Sequence, residues 1–284
     1  MPLYQVIVLG VVQGLTEFLP ISSTAHLYLV PWLSGWAEHE LTFDVALHLG
    51  TLVAVLVYFL PTWVELLRAG LGIRSRFAPA PQAQSGGSDP NRNRRLFWLL
   101  VIGTIPAGVA GILFEEHVKT TLRSPVVMGV ALIVVALVMA LGERVGTYGK
   151  DLFHVGITDT LTVGVGQALA LIPGVSRSGI TMTAGLLRGL RRDAAARFSF
   201  LLSTPIIAGA AVVAAVELHR EGMEPGMGMP FAVGILVSAI TGYLTISFFL
   251  KFLQFGTFKI FIYYRIILGI IVLALAFFPG PGAP

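Results

Sequence analysis

The chain has 284 residues, of which 55% are hydrophobic and only 12% are charged, and its mean hydropathy is +0.83. Soluble domains usually carry about 25% charged residues, so a water-soluble globular protein is excluded. The chain has no cysteine, which excludes disulfides and thiolate chemistry. The formal net charge of +4 comes from basic residues in loops between apolar segments. It therefore indicates membrane topology, and we expect no nucleic-acid partner.

The chain begins with two short apolar segments, 3–19 and 22–35, which are separated at Pro20. Each falls short of the roughly 20 apolar residues that a full membrane span needs. We expect the two segments to form a re-entrant helical hairpin, which is tolerated at membrane depth only where protein buries it. A second pair with the same organisation follows later in the chain, at 158–172 and 176–189.

Six other segments are long and apolar enough to cross a membrane: 41–60, 96–114, 125–142, 197–217, 230–250 and 260–279. Residues 72–95 are rich in Pro, Gly, Ser and Gln and then turn basic, which is typical of a flexible loop. The pattern predicts an all-α polytopic membrane protein with six transmembrane helices plus two re-entrant helical hairpins. We expect a single membrane domain that spans residues 1–284.

The basic residues are distributed unevenly between the two sides of this layout. If the loop 72–95 is cytoplasmic, fifteen Lys and Arg residues are cytoplasmic, Arg265 among them, and three lie on the other side. This asymmetry follows the positive-inside rule only if each hairpin returns to the side it entered from. The two halves then have opposite orientations, so we predict an inverted-topology repeat of about 1–115 and 125–279.

The two breaks are imperfect copies of each other. Gln13 and Ser22 in the first copy match Gln167 and Ser176 in the second, with the same spacing in each pair. Each copy consists of an apolar helix, a Pro break, a Ser-rich turn and a new helix. Broken helices at matching places in two halves point to a binding site near the membrane midplane.

Gln13 and Glu17 are four residues apart and share one face of the first short helix. A carboxylate at membrane depth is costly, and the default hypothesis for it is a functional one. A structural ion pair between Glu17 and Arg177 is the alternative interpretation, and the two roles are compatible.

Ser22, Ser23 and Thr24 follow the proline of the first turn. Ser22 by itself is best explained as a helix cap. Three successive hydroxyls exceed what a cap needs. They lie at the N-terminus of the second short helix, and a helix N-terminus favours an anion, so we expect these residues to contact phosphate. His26 lies three residues beyond Ser23, where an imidazole could activate Ser23 or protonate a leaving oxygen.

Arg177 lies between Ser176 and Ser178 in the second turn. Its planar guanidinium group can bind two phosphate oxygens side by side, and both serines are candidate phosphate ligands. We expect Gly174 and Gly179 to let the backbone approach the ligand closely.

A carboxylate beside a phosphate would repel it unless a cation intervenes. Glu17 therefore predicts a divalent metal, and oxygen ligands favour Mg²⁺ or Ca²⁺. Carboxylates are too few for a cage made only of protein, so phosphates of the substrate would complete the ligand shell.

At these motifs the chain resembles the undecaprenyl-diphosphate phosphatase family, the bacitracin-resistance proteins of bacterial cell-wall synthesis. Gln13 and Glu17 match the family's first motif, which is Glu or Gln, three residues, then Glu. The residues from Pro20 to His26 match its Pro-x-Ser-Ser-Thr-Gly-His stretch. The second motif, Pro-Gly-x-Ser-Arg-Ser-Gly, is matched in full at 173–179.

The resemblance implies an enzyme that converts undecaprenyl diphosphate to undecaprenyl phosphate and inorganic phosphate. This reaction recycles the lipid carrier and confers bacitracin resistance. The resemblance implies a multi-pass protein of the bacterial cytoplasmic membrane, with a site that opens to the outer side of that membrane. It does not decide between a monomer and a homodimer. Glu17 would bind metal or act in acid–base catalysis, and Ser23 would be the nucleophile or a phosphate ligand. His26 would be the acid–base partner of Ser23, and Arg177 would clamp the diphosphate.

The chain departs from the family's pattern at two positions. Gln13 stands where many members have Glu, which argues against a metal site with two carboxylates. Ala25 replaces the usual Gly before His26, which is expected to bring a methyl group close to the ligand.

A transporter or flippase of polyprenyl phosphates is the alternative function, because inverted repeats and discontinuous helices are features of transporters. The combination of Ser23, His26 and Glu17 favours the enzyme, since a carrier does not require it. Attack by Ser23 and direct attack by a water that Glu17 orients are both open.

Overall fold

The computed structural model describes residues 1–37, 41–73, 89–120, 122, 124–221 and 226–277. Regular secondary structure in these ranges is helical. The α-helices are α1 Leu3–Phe18, α2 Ser23–Ser34, α3 Leu41–Tyr58, α4 Leu60–Gly70, α5 Pro90–Thr120, α6 Pro125–Val145, α7 Ile157–Leu169, α8 Arg177–Leu187, α9 Arg192–Glu221, α10 Gly228–Phe252 and α11 Lys259–Phe277. A single 3₁₀ turn, Leu152–His154, precedes α7.

Five helices in the described ranges are long and apolar enough to cross a membrane: α5, α6, α9, α10 and α11. Helices α3 and α4 bend by 76° at their junction and give a sixth candidate if they count as one span. Large apolar side chains cover the outside, and Ile112 and Phe248 are 82% and 64% exposed. Apolar surface of this extent is expected where helices face lipid rather than water. The chain is therefore a multi-pass membrane protein.

The short apolar segments predicted from the two prolines are α1, α2, α7 and α8. Helix α4 was not predicted; it begins at Leu60, where the predicted span 41–60 ends. Pro61 lies in the first turn of α4, where a missing backbone N–H costs nothing.

The predicted loop 72–95 is wrong at its C-terminal end, because α5 already begins at Pro90. Asp89 accepts a hydrogen bond from the Asn91 backbone N–H at 2.9 Å, as a residue at the start of a helix commonly does. The middle of that loop, residues 74–88, lies outside the described residues.

Contacts between helices follow the same plan in both halves. Helix α1 packs on α10 and α7 packs on α5, and α3 and α9 pack on the same two helices. The pair of α3 with α9 also joins the two predicted halves, and α6 packs on α11 within the second half. This reciprocal pattern is expected if α1–α3 correspond to α7–α9. The orientation of the repeats in a membrane and their extents stay predictions.

Small residues bring α1 and α3 against the same neighbour, α10. A Cβ on Gly14 would lie 2.6 Å from a side-chain carbon of α10, and one on Gly50 would lie 2.3 Å from a carbonyl oxygen of α10. Helix α10 has a small residue at every fourth position here, Gly234, Ser238 and Gly242. This spacing permits close packing between membrane helices. It brings the end of α1, which carries Glu17, beside α3.

Candidate active site

The two Ser-rich turns have the same backbone conformation. Ser22 has φ 77° and ψ 98°, and Ser176 has φ 69° and ψ 109°. Each serine caps the helix that follows by accepting a backbone N–H, from Ala25 at 3.4 Å and from Gly179 at 3.1 Å. Positive φ is unfavourable for residues other than glycine. Its presence at the matching serine of both turns therefore indicates that the surrounding structure holds the backbone in this conformation. Ser22 is a helix cap, as the simpler interpretation predicts, and its role as a phosphate ligand stays a prediction.

Glu17 is the residue at which the two turns meet. Its side chain is 6% exposed. Oε1 accepts a hydrogen bond from Arg177 Nη2 at 2.6 Å. Oε2 accepts one from Ser23 Oγ at 2.6 Å and one from Gln13 Nε2 at 3.2 Å. The structure therefore brings together four of the residues that the sequence analysis singled out.

Arg177 retains hydrogen-bonding capacity beyond this ion pair. Its Nη2 binds Glu17, whereas Nη1 is buried and has no hydrogen-bond partner within the described part of the chain. Leaving a buried donor unpaired is costly. A phosphate oxygen is a good acceptor for a guanidinium nitrogen, so an anionic ligand would remove this cost.

The serines on either side of Arg177 connect the second turn to the first. Ser178 Oγ donates to the Leu19 carbonyl oxygen at 2.9 Å and lies 3.3 Å from Ser176 Oγ. Both hydroxyls therefore already have protein partners. Their predicted roles as phosphate ligands stay predictions.

Gly174 is needed for the packing of the second turn against α6. It has φ +93°, and a Cβ there would lie 2.6 Å from the Met128 carbonyl oxygen of α6. A Cβ on Gly179 would lie 3.1 Å from Ser176 Oγ. Both glycines therefore have a role in packing, and the expectation that they open the backbone to the ligand stays a prediction.

His26 is directed away from Ser23. Its Nδ1 lies 2.7 Å from the Ser22 carbonyl oxygen, and its Nε2 lies 2.6 Å from the Tyr264 hydroxyl of α11. The His26 and Tyr264 rings are also stacked, with centroids 5.7 Å apart. The expected pairing of His26 with Ser23 is therefore not present, since Ser23 donates to Glu17 instead.

Two neighbours of Ser23 have different environments. Thr24 is exposed in the first turn of α2. Ala25 is fully buried and packs in a cluster with Met128 and Leu132 of α6. The methyl group of Ala25 therefore lies in the core, and the expectation that it crowds the ligand is wrong.

Arg265 is a central residue that the sequence analysis assigned to the wrong place. It was counted among the cytoplasmic basic residues, but it lies in the second turn of α11 and is 0% exposed. It donates to carbonyl oxygens of both turns and of α6, at distances between 3.0 and 3.4 Å: Pro20, Ala131, Leu132, Gly174 and Val175. A charged residue inside the apolar segment 260–279 was the available signal.

His48 on α3 is a site residue that the sequence analysis missed. Its Nε2 lies 3.6 Å from Glu17 Oε2. Its Nδ1 lies 2.7 Å from the Asp44 carbonyl oxygen, which fixes the ring. The available signal was again a polar residue inside a predicted span, here 41–60.

The buried amide of Gln13 fits the expectation of a cation. Gln13 is 0% exposed, and its Oε1 has no hydrogen-bond partner among the described residues. A buried carbonyl oxygen without a donor is an oxygen ligand of the kind that divalent cations accept. No cluster of three or more His, Asp or Glu side chains exists in the described ranges. A cation at Glu17 would therefore depend on other ligands as well.

Comparison with known proteins agrees with these motifs. Residues 6–271 match the family model described as bacitracin resistance protein BacA. The undecaprenyl-diphosphatase of Desulforudis audaxviator is 49% identical over 278 residues, which are 98% of this chain and 99% of that protein. The undecaprenyl-diphosphatase of Moorella thermoacetica is 46% identical over 97% of this chain and 98% of its own. The one of Thermomicrobium roseum is 45% identical over 98% of this chain and 99% of its own. The chain therefore belongs to the bacitracin resistance protein BacA family.

Proposed function

We propose that this protein is an undecaprenyl-diphosphate phosphatase, which releases inorganic phosphate from undecaprenyl diphosphate and leaves undecaprenyl phosphate. One observation carries the proposal. A serine hydroxyl, Ser23, donates to a buried carboxylate, Glu17, at 2.6 Å, and the same carboxylate binds an arginine, Arg177, that has an unpaired nitrogen. This arrangement combines a nucleophile, a base and an anion ligand, as phosphoryl transfer requires.

In the first step Ser23 Oγ attacks the terminal phosphorus while its proton passes to Glu17 Oε2. The bond from that phosphorus to the bridging oxygen breaks, and the electron pair leaves with undecaprenyl phosphate. Water then attacks the phosphoserine, the bond from phosphorus to Oγ breaks, and a proton of that water restores the hydroxyl. Glu17 gives the proton that it took in the first step to the departing phosphate product, so both side chains regain their starting states. In the alternative route Glu17 orients a water that attacks the diphosphate directly.

Arg177 has the role of binding and neutralising the oxygens of the transferred phosphoryl group. Stabilising that charge is usually the largest single contribution in such reactions. Both ring nitrogens of His26 have protein partners, the Ser22 carbonyl oxygen and the Tyr264 hydroxyl. We therefore assign His26 a hydrogen bond to the bridging oxygen only in its protonated form, with Nε2 released from Tyr264 as the bond breaks. Ser22, Thr24, Ser176 and Ser178 are proposed as further contacts of the diphosphate.

A divalent cation, Mg²⁺ or Ca²⁺, is part of the proposal. Glu17 and the Gln13 carbonyl oxygen are the protein groups that would hold it. When bound, the cation supplies positive charge that offsets the repulsion between the Glu17 carboxylate and the diphosphate.

The proposed setting is the bacterial cytoplasmic membrane, with six transmembrane helices and two re-entrant hairpins, and with the site open to the outer side. The helix breaks at α1–α2 and α7–α8 support the hairpins. Both turns are buried among helices, and this also supports re-entrant hairpins, because irregular backbone at membrane depth must be covered by protein.

The test is phosphate release by purified protein in detergent micelles, with undecaprenyl diphosphate as the substrate. A flippase would show no turnover there, because micelles offer no compartments to transport between. We expect metal-dependent release by the unaltered protein and its loss in Ser23→Ala. A protein that is folded and supplied with divalent cation but releases no phosphate would exclude the proposed function.

Rapid quenching of the reaction separates the two routes. Phosphate on Ser23 that appears before inorganic phosphate is released supports attack by Ser23. Absence of a phosphoserine throughout a single turnover supports direct attack by water; labelled water oxygen enters the released phosphate in both routes and does not distinguish them.

A further inference from the structure

We propose that a basic cavity beside the start of α9 binds the phosphate headgroup of an anionic phospholipid. The cavity has a volume of about 290 Å³ and is lined by Tyr148, Arg191, Arg192, Asp193, Leu253 and Gln254. It lies beyond the C-terminal end of α8, whereas Arg177 of the candidate active site begins that helix. The 11 residues of α8 span about 16 Å. The cavity is therefore a separate site, and the inference does not depend on the proposed function.

Both arginines of the cavity are held in fixed orientations by carboxylates. Arg192 donates from Nε and Nη2 to the two carboxylate oxygens of Glu143, at 2.9 and 2.6 Å. Its guanidinium carbon also lies 4.1 Å from the centre of the Tyr148 ring. Arg191 donates from Nε and Nη2 to Asp193 in the same way, at 3.1 and 2.9 Å. Each ion pair uses one edge of the guanidinium group, so Nη1 of each arginine is left to bind another acceptor.

The backbone fixes the two sides of the cavity relative to each other. The Lys150 N–H donates to the Gly189 carbonyl oxygen at 2.9 Å, and the Arg191 N–H donates to the Lys150 carbonyl oxygen at 2.8 Å. Tyr148, two residues before Lys150, has φ 53°, which is unfavourable for a residue other than glycine. Its hydroxyl donates to the Glu143 carbonyl oxygen at 2.7 Å. A strained residue that its surroundings hold in this way points to a functional wall of the cavity.

The charges around the cavity favour an anion. Glu143 and Asp193 each offset one arginine, so the two ion pairs alone carry no net charge. Lys251 lies in the last turn of α10 and Lys259 begins α11, while residues 226–277 contain no Asp or Glu. The excess charge at this end of the bundle is therefore positive, and basic residues near a membrane surface attract anionic lipids.

The position of the cavity indicates a lipid headgroup rather than a free phosphate ion. Leu253, which lines the cavity, directly follows α10, one of the helices that are long and apolar enough to cross a membrane. Around this helix end Phe248 is 64% exposed and Phe255 is 94% exposed. Such apolar surface is suited to acyl chains, so a lipid could place its headgroup in the cavity and its chains against these rings. On the orientation proposed above, this end faces the cytoplasmic leaflet, where anionic lipids attract basic residues.

Purely structural ion pairs are the competing explanation. Arg192 and Glu143 join α9 to α6, and this contact by itself would stabilise the fold. Arg191 and Asp193 are only two residues apart, and their side chains are 55% and 27% exposed, so their pair joins no separate elements. A structural role therefore leaves Arg191 unexplained, and Arg191 is the residue on which the test depends.

The test is lipid binding to the purified full-length protein in detergent, measured by native mass spectrometry. Phosphatidylglycerol and phosphatidylcholine with identical acyl chains are titrated separately, and inorganic phosphate is added as a competitor. The variants are Arg191→Gln, which removes an exposed charge from the cavity, and Arg192→Gln, which also breaks the ion pair with Glu143. Arg144→Gln is the matched control, because Arg144 is exposed in the last turn of α6 and does not line the cavity.

We expect the unaltered protein and Arg144→Gln to bind phosphatidylglycerol more tightly than phosphatidylcholine. Arg191→Gln should bind phosphatidylglycerol about fivefold more weakly, with its affinity for phosphatidylcholine and its melting temperature without lipid unchanged. Arg192→Gln should show at least the same loss wherever its melting temperature shows that it is folded, and Arg191→Gln decides the inference in either case.

Three results would each overturn the inference. They are equal affinities of the unaltered protein for the two lipids, an equal loss of phosphatidylglycerol affinity in Arg191→Gln and Arg144→Gln, and displacement of the lipid by inorganic phosphate, which would indicate a site for the free ion. Phosphate release does not enter this test, so its failure would leave the proposed function intact.

Discussion

Arg177 Nη2 and Glu17 Oε1 lie 2.6 Å apart although the two residues are separated by 160 positions in the chain. Glu17 lies near the end of α1 and Arg177 begins α8, so this contact joins the two predicted halves at the candidate active site. A diphosphate that binds Arg177 has to share it with Glu17, and the second guanidinium nitrogen makes sharing possible. Arg177 therefore needs its planar fork and not only its charge.

Replacing this fork by a point charge gives the first prediction. Arg177→Lys retains a cation beside Glu17 but cannot bind Glu17 and phosphate side by side. We expect kcat/KM for phosphate release to fall by about 10²-fold or more, with the melting temperature nearly unchanged. Arg188→Lys is the control, because Arg188 makes a similar contact with Asp159 outside the site. Equal losses in both variants would argue against a specific role for Arg177.

Ser23→Ala tests the hydroxyl that donates to Glu17. The change removes the proposed nucleophile and a hydrogen bond of 2.6 Å but fills no new space. We expect phosphate release to fall by at least about 10²-fold and the thermal midpoint to change little. Ser34→Ala, at the exposed end of the same helix, should behave like the unaltered protein. Substantial turnover by Ser23→Ala would favour attack by water and reject Ser23 as the nucleophile.

The positive φ of Ser22 and Ser176 leads to an unusual stability prediction. Alanine at either position loses the cap and keeps the strained backbone, so we expect a loss of about 1–2 kcal/mol. Glycine also loses the side chain but relieves strain that is worth about 1–3 kcal/mol. Thermal denaturation in detergent should therefore rank the glycine variant above the alanine variant at both positions. If alanine proved as stable as glycine, the positive φ would be refuted.

Arg265→Met tests the buried guanidinium that binds carbonyl oxygens from both turns. Methionine fills much of the volume but leaves these oxygens without a donor, and each buried acceptor left unpaired costs about 1–3 kcal/mol. We expect a clear fall in the melting temperature. Lys251→Met, which removes an exposed charge near the end of α10, is the control. Unchanged stability of Arg265→Met would show that water replaces the guanidinium.

The parts of the fold that the sequence predicts best are those with strong local causes. Pro20 and Pro173 cannot continue a helix, and the serines after them start a new one, so all four short helices were predictable. The ion pair between Glu17 and Arg177 was predicted only as the alternative interpretation of Glu17, since opposite charges buried in a membrane protein tend to pair with one another.

The rest of the site depends on tertiary packing that no local pattern encodes. His48 becomes a site residue only because the small residues of α10 draw α1 and α3 together. From the sequence alone, Arg265 is interpreted as a basic residue that flanks a membrane span. Only the folded structure shows that both turns bury it. His26 seemed paired with Ser23 by spacing alone, but its ring reaches Tyr264 in α11, which lies more than 200 residues away.

The position of Arg265 in α11 has a consequence for how the protein is made. Both Ser-rich turns are synthesised long before this arginine, the first by more than 240 residues. Until α11 has entered the membrane, the Pro20, Gly174 and Val175 carbonyl oxygens lack the donor that they share in the finished protein. A chain whose synthesis stops before α11 therefore contains both Ser-rich turns but lacks the arginine that connects them. Assembly of the active centre is thus a late event in biogenesis, and a truncated product is expected to be inactive and an early target of membrane quality-control proteases.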